Sequence, residues 1–277
     1  MIAKQEALIM PQGNIIQIPQ DVLVEDNWGV LDSHIHLRDT LGDMSTMFQE
    51  IKNRGMVSAF TEHDNNENFE LVWKLATEFG IEDQIMAGVE ITVLAGNHPA
   101  HLLIYFPDKS CVPSEQNYEL NFGRGTDSKK AIEAIHRMGG FCIWPHPTSP
   151  LTFSVGEGYL NNTLKDPDIR RADGLEVLNP TPAGKMALAK ARAFYEKGGF
   201  GGAVGGSDGR KIEHLGHCQT RFPGRTKEDF IKALREGKTV AQGSFYSLDE
   251  IIDLAGKQAT TVFHRGVEML GRIYAGQ

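Results

Sequence analysis

The sequence predicts an α/β protein in which about seven strand–helix units form a closed or nearly closed TIM-like barrel, followed by a C-terminal helical extension. Two observations favour this fold class. Short apolar runs rich in β-branched or aromatic residues recur along the chain, and most of them precede a segment with apolar residues at helical spacing. A chain of 277 residues is also an ordinary length for a barrel that folds as one domain. We therefore expect a single domain over residues 1–277.

The predicted strands and helices alternate through the middle of the chain. Strands are predicted at Gly29–Asp32, Val57–Thr61, Ile85–Ile91, His101–Phe106, Phe141–Trp144, Gly174–Leu178 and Gly202–Gly206. Helices are predicted at Met44–Arg54, Asn68–Phe79, Ser128–Met138, Ala183–Lys197 and Thr226–Glu236. Glycine pairs at 139–140 and 198–199 favour the ends of two of these helices. Because strands alternate with helices, we expect a parallel sheet.

Two segments lie outside this alternation. Residues 107–125 are polar and lack periodicity, which predicts a loop at one end of the barrel. Residues 247–276 predict one or two helices with apolar positions that pack either on the barrel or on a second subunit. The sequence leaves both arrangements open, so a homo-oligomer is one of the alternatives.

Composition and charge exclude several classes of function. The net charge of −8 at pH 7 argues against a long nucleic acid partner, because such surfaces need clustered lysine and arginine. A small anionic substrate stays compatible, since bound cations reverse the local field. No apolar stretch is long enough for an export signal or a membrane span, and the three cysteines have no paired spacing. We expect a cytoplasmic protein without a membrane partner.

The strongest local signal is the segment Asp32-Ser33-His34-Ile35-His36 at the end of the first predicted strand. A strand points alternate side chains to one face, so the imidazoles of His34 and His36 face the same point. Barrel enzymes collect their catalytic groups at this end of the strands. The alternative interpretation is two polar residues on one face of a strand end.

Further polar residues occur at the boundaries of later strands. Glu90 lies in an apolar strand, where an unpaired carboxylate costs several kcal/mol and therefore needs a cation or a basic partner. The other candidates have plainer alternatives: a solvated turn for residues 61–64, hydrogen-bonded core histidines for His101 and His146, and a helix cap for Asp208. Five histidines at successive strand boundaries favour a metal site over these alternatives.

These motifs, taken in order, resemble those of the PHP family, named for polymerase and histidinol phosphatase. The resemblance runs from about residue 28 to residue 220 and rests on six short motifs. They are Asp32-Ser-His34-Ile-His36, Thr61-Glu-His63-Asp, Gly88-Val-Glu90, His101-Leu-Leu-Ile-Tyr, Pro145-His146-Pro147 and Gly206-Ser-Asp208. The resemblance implies a distorted (β/α)7 TIM-like barrel with several bound metal ions. It also implies a metal-dependent hydrolase of phosphate esters, in which a hydroxide bridging the ions is the nucleophile.

Carried over residue by residue, the resemblance implies two divalent ions. One is held by His34, His36, Glu90 and Asp208, and the second by Glu90, His101 and His146, with Glu90 bridging the two. Imidazole and carboxylate ligands suit Zn, Mn or Fe. The implied substrate is a small anionic phosphate monoester or diester, or a nucleotide.

The sequence departs from the family pattern at a third ion. The pattern expects His63, a ligand soon after the opening motif, and a histidine where this chain has Arg210. Asp39 or Asp43 is a candidate for the ligand soon after the opening motif. His214 or His217, from the loop after Asp208, is a candidate to replace the missing histidine. We expect two ions and leave the third site open, with His63 as a ligand or as an acid.

Catalytic roles are hypothesised for residues beside the ligand motifs. Arg210, Arg38 or Lys211 would bind phosphate oxygens, and His63 or His217 would protonate the leaving group. Two other functions stay open. One is an amidohydrolase-like barrel that cleaves an amide, ester or carbamate, although such barrels usually add a bridging lysine carbamate. The other is a metal-binding PHP module without turnover.

Overall fold

The computed structural model describes residues 16–18, 25–36, 44–150, 152–165 and 171–252. The strands are β1 Ile16–Ile18, β2 Trp28–Ile35, β3 Val57–His63, β4 Ile85–Ala95, β5 His98–Phe106, β6 Phe141–Trp144, β7 Gly174–Leu178, β8 Gly202–Gly205, β9 Cys218–Pro223 and β10 Val240–Gly243. The helices are α1 Met44–Arg54, α2 Phe69–Phe79, α3 Glu115–Phe122, α4 Ser128–Arg137, α5 Glu157–Lys165, α6 Pro182–Glu196 and α7 Lys227–Arg235.

All ten strands belong to one curled sheet with the order β1-β10-β9-β2-β3-β4-β5-β6-β7-β8. The sheet is mixed. Neighbouring strands are parallel from β2 to β4 and from β6 to β8, but β5 is antiparallel to both of its neighbours. Strands β9, β10 and β1 extend the other edge in antiparallel pairs. The expected sheet of parallel strands in a (β/α)7 barrel is therefore replaced by a mixed half-barrel.

The hairpin between β4 and β5 explains this difference. Ala95 pairs with His98, so only Gly96 and Asn97 connect the two strands. Gly96 has a φ of 67°, a backbone conformation that a two-residue hairpin turn requires and that glycine adopts without strain. A two-residue turn reverses the chain, whereas parallel strands need a long crossover. Strand β5 consequently runs against β4 and β6.

The curled sheet is closed by side chains where its far edge approaches β9 and β10. The hydroxyl of Thr220 on β9 accepts a hydrogen bond from the amide of Gly205 at 3.0 Å and lies 3.1 Å from the carbonyl of the same residue, to which it donates. The Thr239 hydroxyl donates to the carbonyl of Ala203 at 2.8 Å. These contacts take the place of a backbone ladder between β8 and β9.

Apolar side chains fill most of the inner face of the curled sheet, and polar side chains occupy one end of it. On β3, Val57 and Ala59 belong to this inner cluster, and alternation along the strand places His63 on the same face. Met86 precedes Glu90 on β4 in the same way. Because the apolar layer ends before these residues, the polar groups gather at the C-terminal end of the parallel strands. Helix α7 contributes Phe230 to the apolar layer.

Two helices lie where the sequence analysis predicts none. Helix α3 lies inside residues 107–125, which were predicted to be irregular. The Ser114 side chain caps this helix, which buries only Tyr118 and Phe122, so its apolar periodicity is weak. Helix α5 follows the His146 loop, and it buries only Leu160 and Thr163.

The described part of the chain divides into two compact units, the first ending at Phe245 and the second beginning at Tyr246. In the second unit, residues 248–252 are helical, and Ser247 and Glu250 form hydrogen bonds at the start of this helix. The rest of the helical segment predicted over residues 247–276 lies outside the described residues. None of the helices in the described ranges combines the length and the apolar character that a membrane span needs.

Replacing Thr220 by valine is expected to destabilise the protein by about 1–3 kcal/mol, because the buried amide and carbonyl of Gly205 then lose their partner. The measurement is the midpoint and slope of urea unfolding followed by circular dichroism. Thr77→Val, at an exposed position of α2, is the matched control and is expected to change stability by less than about 0.5 kcal/mol. Equal effects of the two variants would contradict a stabilising role for this closure.

Candidate metal centre

Five histidine side chains form a closed ring at the polar end of the sheet. The order around the ring is His34, His36, His63, His101 and His146, and neighbouring ring centroids lie 4.6–6.0 Å apart. His101 belongs to this ring because the antiparallel β5 brings its N-terminal half beside the C-terminal ends of β4 and β6.

The carboxylate of Glu90 lies inside this ring and contacts every imidazole. Its Oε2 atom is 3.3 Å from the Nε2 atom of His34, 3.4 Å from that of His36 and 3.1 Å from the Nδ1 atom of His63. Its Oε1 atom is 2.6 Å from Nδ1 of His101 and 3.1 Å from Nε2 of His146. The two oxygens therefore face two different sets of histidines, an arrangement that would let the carboxylate hold ions on both sides.

Asp208 completes the half of the site that contains His34 and His36. Its Oδ1 atom is 3.3 Å from Nε2 of His36 and 3.9 Å from Nε2 of His34. The Asn179 amide lies 3.5 Å from the other carboxylate oxygen. The structure thus brings together the side chains of all seven predicted metal ligands, and their role as ligands stays a prediction.

The backbone is strained at three places, and all three lie at or beside this cluster. The non-glycine residues with positive φ in the described part of the chain are Asp64, His146 and Asp208, with φ values of 50°, 30° and 49°. Such conformations cost about 1–3 kcal/mol each and persist where surrounding contacts fix them. His146 and Asp208 both have side chains in the cluster, His146 against Glu90 and Asp208 against His36.

The donor set fits divalent metal ions. Adjacent ligand atoms of a tetrahedral ion with bonds of about 2.0–2.1 Å are separated by about 3.3 Å. The contacts of Glu90 with His34 and His36, at 3.3 and 3.4 Å, have this spacing. The Nδ1 atom of His101 is buried and has no hydrogen bond of suitable geometry, although it lies 2.6 Å from Glu90. Imidazole nitrogen and carboxylate oxygen together suit Zn, Mn and Fe.

Electrostatics also favour bound cations. Burial raises the pKa of Glu90, but the neighbouring His101, His63 and His34 hold it well below its ordinary value. Burial likewise opposes ionisation of Asp208, and the contacts with His34 and His36 nevertheless lower its pKa. Both carboxylates are therefore ionised at neutral pH inside a largely buried cluster, where divalent cations would offset their charge.

Two of the imidazoles are held in the neutral form that binds metal. Burial, with a smaller contribution from the Arg210 guanidinium, lowers the pKa of His36. Burial also lowers the pKa of His63 to about 4. His34 differs, because the carboxylates of Glu176, Glu90 and Asp208 outweigh its burial and raise its pKa. The site opens to solvent on the His63 side, since this side chain is 25% exposed and that of His34 is fully buried.

Comparisons with known proteins point to one family. The family model described as PHP-associated matches residues 185–239, which include Asp208. An uncharacterized protein of Methanocaldococcus jannaschii is 26% identical over 162 residues, covering 53% of this chain and 80% of that protein.

Two solved structures share the fold. PsfC from Pseudomonas syringae superposes with a TM-score of 0.59 at 16% identity, covering 85% of this chain and 99% of that one. A two-domain protein from Bacteroides vulgatus, which contains a predicted PHP-like metal-dependent phosphoesterase, superposes with a TM-score of 0.56 at 19% identity. The superposition covers 84% of this chain and 71% of that chain. The match to the PHP-associated model agrees with the resemblance of the six sequence motifs to the PHP family.

The loop after β8 carries the departure from the PHP pattern at Arg210. The amide of Arg210 donates to Nδ1 of His214 at 3.1 Å, so His214 positions this loop. The Arg210 guanidinium lies close enough to His36 and His63 to lower the pKa of both, after the larger effect of their burial. A fixed positive charge therefore stands beside the third ion site that the PHP pattern implies.

The other residues predicted to complete that third site differ in their placement. Among the described residues, neither His214 nor His217 belongs to a group of converging potential ligands. Both side chains are almost fully buried. Arg38, Asp39 and Asp43 lie outside the described residues, so their predicted roles stay predictions.

The Glu176 carboxylate contacts histidines on both sides of the candidate metal centre, His34 and His146. One carboxylate oxygen lies 3.0 Å from Nδ1 of His34, and the other accepts hydrogen bonds from the amide of His146 at 2.8 Å and from the Asn179 side chain at 3.1 Å. The first contact leaves Nε2 of His34 to face Glu90. Gly206 permits this approach, because a Cβ atom there would lie 2.5 Å from the Glu176 carboxylate. From the sequence, Glu176 has two interpretations: a residue that lines the site or orients a ligand, or a polar residue that closes a strand.

Asp32 is a second supporting residue, which sequence reasoning included only as part of a motif. Its fully buried carboxylate accepts hydrogen bonds from the amides of His34, Ser207 and Gly216, at 3.3, 3.0 and 2.8 Å. Burial raises its pKa to about 6, against the opposing effect of these hydrogen bonds. Asp32 thereby ties the end of β2 to the Ser207 and Gly216 loops.

In the motif at residues 61–64, His63 and Asp64 have different contacts. His63 faces Glu90, whereas the Asp64 carboxylate accepts hydrogen bonds from the Thr92 amide at 2.6 Å and the Thr92 hydroxyl at 2.9 Å. Asp64 thus connects the end of β3 to β4 and holds no position in the ring. Within this motif, His63 is therefore the residue whose side chain joins the ring.

A second group of potential ligands lies outside the candidate metal centre and consists of His136, Cys142 and Asp173. Its geometry is that of hydrogen bonds. Nε2 of His136 is 2.7 Å from a carboxylate oxygen of Asp173, which also accepts from the Cys142 amide at 2.9 Å. Burial raises the pKa of the Cys142 thiol well above its ordinary value, which disfavours the thiolate that metals need. We assign this group a structural role.

Replacing Glu176 by glutamine is expected to weaken metal binding about 10- to 100-fold, because the amide cannot accept all three hydrogen bonds of the carboxylate. The measurement is titration of the metal-free protein with Zn²⁺ or Mn²⁺ by calorimetry. Glu196→Gln, which removes the charge of an exposed carboxylate paired with Arg192, is the control and should bind metal like the wild type. An unchanged affinity in Glu176→Gln would show that this carboxylate does not orient His34.

Proposed function

We propose that this chain is a metal-dependent hydrolase of phosphate esters that holds two divalent ions. The observation that carries the proposal is the ring of five imidazoles around the buried carboxylate of Glu90, whose two oxygens face different histidines. One ion would be held by His34, His36, Glu90 and Asp208, and the other by Glu90, His101 and His146. When bound, the ions supply an acidic water and positive charge for the phosphate oxygens. The proposed metals are Zn, Mn or Fe.

Arg210 would bind the phosphate group. It directly follows Gly209, whose carbonyl accepts a hydrogen bond from the amide of His36 at 2.8 Å, and His36 stacks on His63, where the site is open to solvent. A guanidinium offers two parallel donors to phosphate oxygens, and its charge does not depend on pH in the physiological range. In this position the guanidinium would supply the positive charge that the PHP pattern assigns to a third ion. Two ions and one arginine are therefore the proposed cationic groups.

His63 is the better candidate for contact with the leaving group. Its Nδ1 atom faces Glu90, so its Nε2 atom is left for a hydrogen bond to the ester oxygen. His217 belongs to no group of converging potential ligands in the described part of the chain. We therefore expect His63→Ala to reduce turnover more than His217→Ala does.

Phosphate esters are favoured over the carboxylic substrates of an amidohydrolase. In this structure the position between the two sets of histidines is filled by Glu90, where such barrels usually have a lysine carbamate. The relevant assays compare 4-nitrophenyl phosphate, bis(4-nitrophenyl) phosphate and 4-nitrophenyl acetate with the metal-loaded protein. Turnover of the acetate alone would reject the proposed bond type. A metal-loaded protein that cleaves none of them would indicate a binding module.

Replacing His34 or Asp208 by alanine is expected to abolish turnover and to lower the metal content from two ions per chain, because each side chain faces the bridging carboxylate or its histidines. Elemental analysis and phosphate release measure the two effects. Glu133→Ala, on the exposed face of α4, is the control and should retain both properties. Wild-type turnover in either site variant would show that the site is assigned wrongly.

Replacing Arg210 by alanine is expected to lower kcat/KM about 100-fold while the metal content stays at two ions per chain, because the guanidinium contacts phosphate and no ion. Arg210→Lys should recover only part of the loss, since an ammonium lacks the bidentate geometry. Arg192→Ala, at an exposed position of α6, serves as the control. Unchanged kinetics in Arg210→Ala would remove this residue from the mechanism.

A further inference from the structure

One exposed aromatic side chain borders the candidate metal centre. Phe153 is 46% exposed, whereas the other large apolar side chains that are exposed in the described part of the chain are aliphatic. Trp144, the other aromatic residue near His146 in the sequence, is buried in the core. Exposure of a phenylalanine ring alone indicates little. Its place beside the predicted metal ligand His101 distinguishes it from the other exposed apolar side chains.

The position of Phe153 is fixed by contacts with two predicted ligands. Its carbonyl accepts a hydrogen bond from the amide of His101 at 2.7 Å. Its ring stands edge to face with the His101 imidazole, at 5.3 Å between centroids and an interplanar angle of 86°. The hydroxyl of the preceding Thr152 lies 2.9 Å from Nδ1 of His146. The segment is therefore held against the site.

Phe153 and Arg210 act on different sectors of the histidine ring. The ring of Phe153 contacts His101, whereas Arg210 directly follows Gly209, whose carbonyl accepts a hydrogen bond from the amide of His36 at 2.8 Å. The side chains that are partly open to solvent, His63 and His101, lie between them, with exposed fractions of 25% and 13%. A substrate entering there would meet a cation on one side and an aromatic ring on the other.

We propose that Phe153 is a specificity-determining residue that packs against a planar aromatic group of the substrate, so that aryl or nucleoside phosphates are favoured over alkyl or sugar phosphates. This inference rests on the proposed function of the same site. The phosphate would lie toward Arg210 and the aromatic group over the Phe153 ring. Aromatic pairs prefer offset or edge-to-face packing, and Phe153 is exposed enough to form such a contact.

The test compares phenyl phosphate with methyl phosphate, by release of inorganic phosphate from the metal-loaded full chain. In Phe153→Ala, the ratio of kcat/KM for phenyl phosphate to that for methyl phosphate should fall about 5- to 10-fold, mainly through KM for the phenyl ester. Phe153→Trp should keep the ratio, and Phe153→Leu should lose most of it. Met186→Ala, which removes another exposed apolar side chain, is the matched control and should leave the ratio unchanged.

Binding of phosphonates separates this inference from the proposed function. Phenylphosphonate and methylphosphonate cannot be hydrolysed, and calorimetry reports their affinities for the metal-loaded protein. A preference for phenylphosphonate that is lost in Phe153→Ala, at unchanged metal content, supports the inference even if neither ester is turned over. An equal affinity of the wild type for both, or an unchanged ratio in Phe153→Ala, would overturn it. Absence of turnover of both monoesters and of bis(4-nitrophenyl) phosphate contradicts the proposed function alone.

Discussion

The structure depends on the burial of one carboxylate, that of Glu90, within a ring of imidazoles. An ionised group in such a place is costly unless charge and hydrogen-bond partners surround it from every side. The fold supplies those partners from the ends of four strands, β2, β3, β5 and β6, where the apolar inner layer has ended. The same arrangement that makes the carboxylate tolerable also leaves it facing two sets of nitrogen atoms. Stability and function therefore place the same demand on this end of the sheet.

The predicted elements in the middle of the chain agree with the structure because apolar periodicity reports directly on burial. The direction of β5 was not predicted, since the periodicity of a strand is the same for parallel and antiparallel neighbours. Gly96 and Asn97 carried the missing signal as a two-residue hairpin turn. Helix α3 was missed because only Tyr118 and Phe122 of its eight residues are buried. Strands β9 and β10 were missed because both are short and partly polar.

The candidate site was predictable as far as residue type and strand position could define it. His34, His36 and Glu90 could be predicted because they interrupt apolar strands. Asp64 could not be separated from His63 by sequence, since adjacent polar residues at a strand end look alike until the backbone conformation is known. The hydrogen bonds of Asp32 with three backbone amides could not be predicted for the same reason. A carboxylate within an apolar segment was the signal for both Asp32 and Glu90, and it was applied to only one of them.

The two oxygens of Glu176 have a consequence for how the centre assembles. One oxygen orients an imidazole in the first half of the site, and the other holds the backbone of a histidine in the second half. When either His34 or His146 becomes ordered, the Glu176 carboxylate becomes ordered with it. The conformational entropy lost on ordering the other histidine is then smaller. Occupancy of the first position should therefore increase affinity at the second, and the energetic coupling must be equal in both directions. The centre would then fill cooperatively, with partly loaded molecules rare at intermediate metal concentrations.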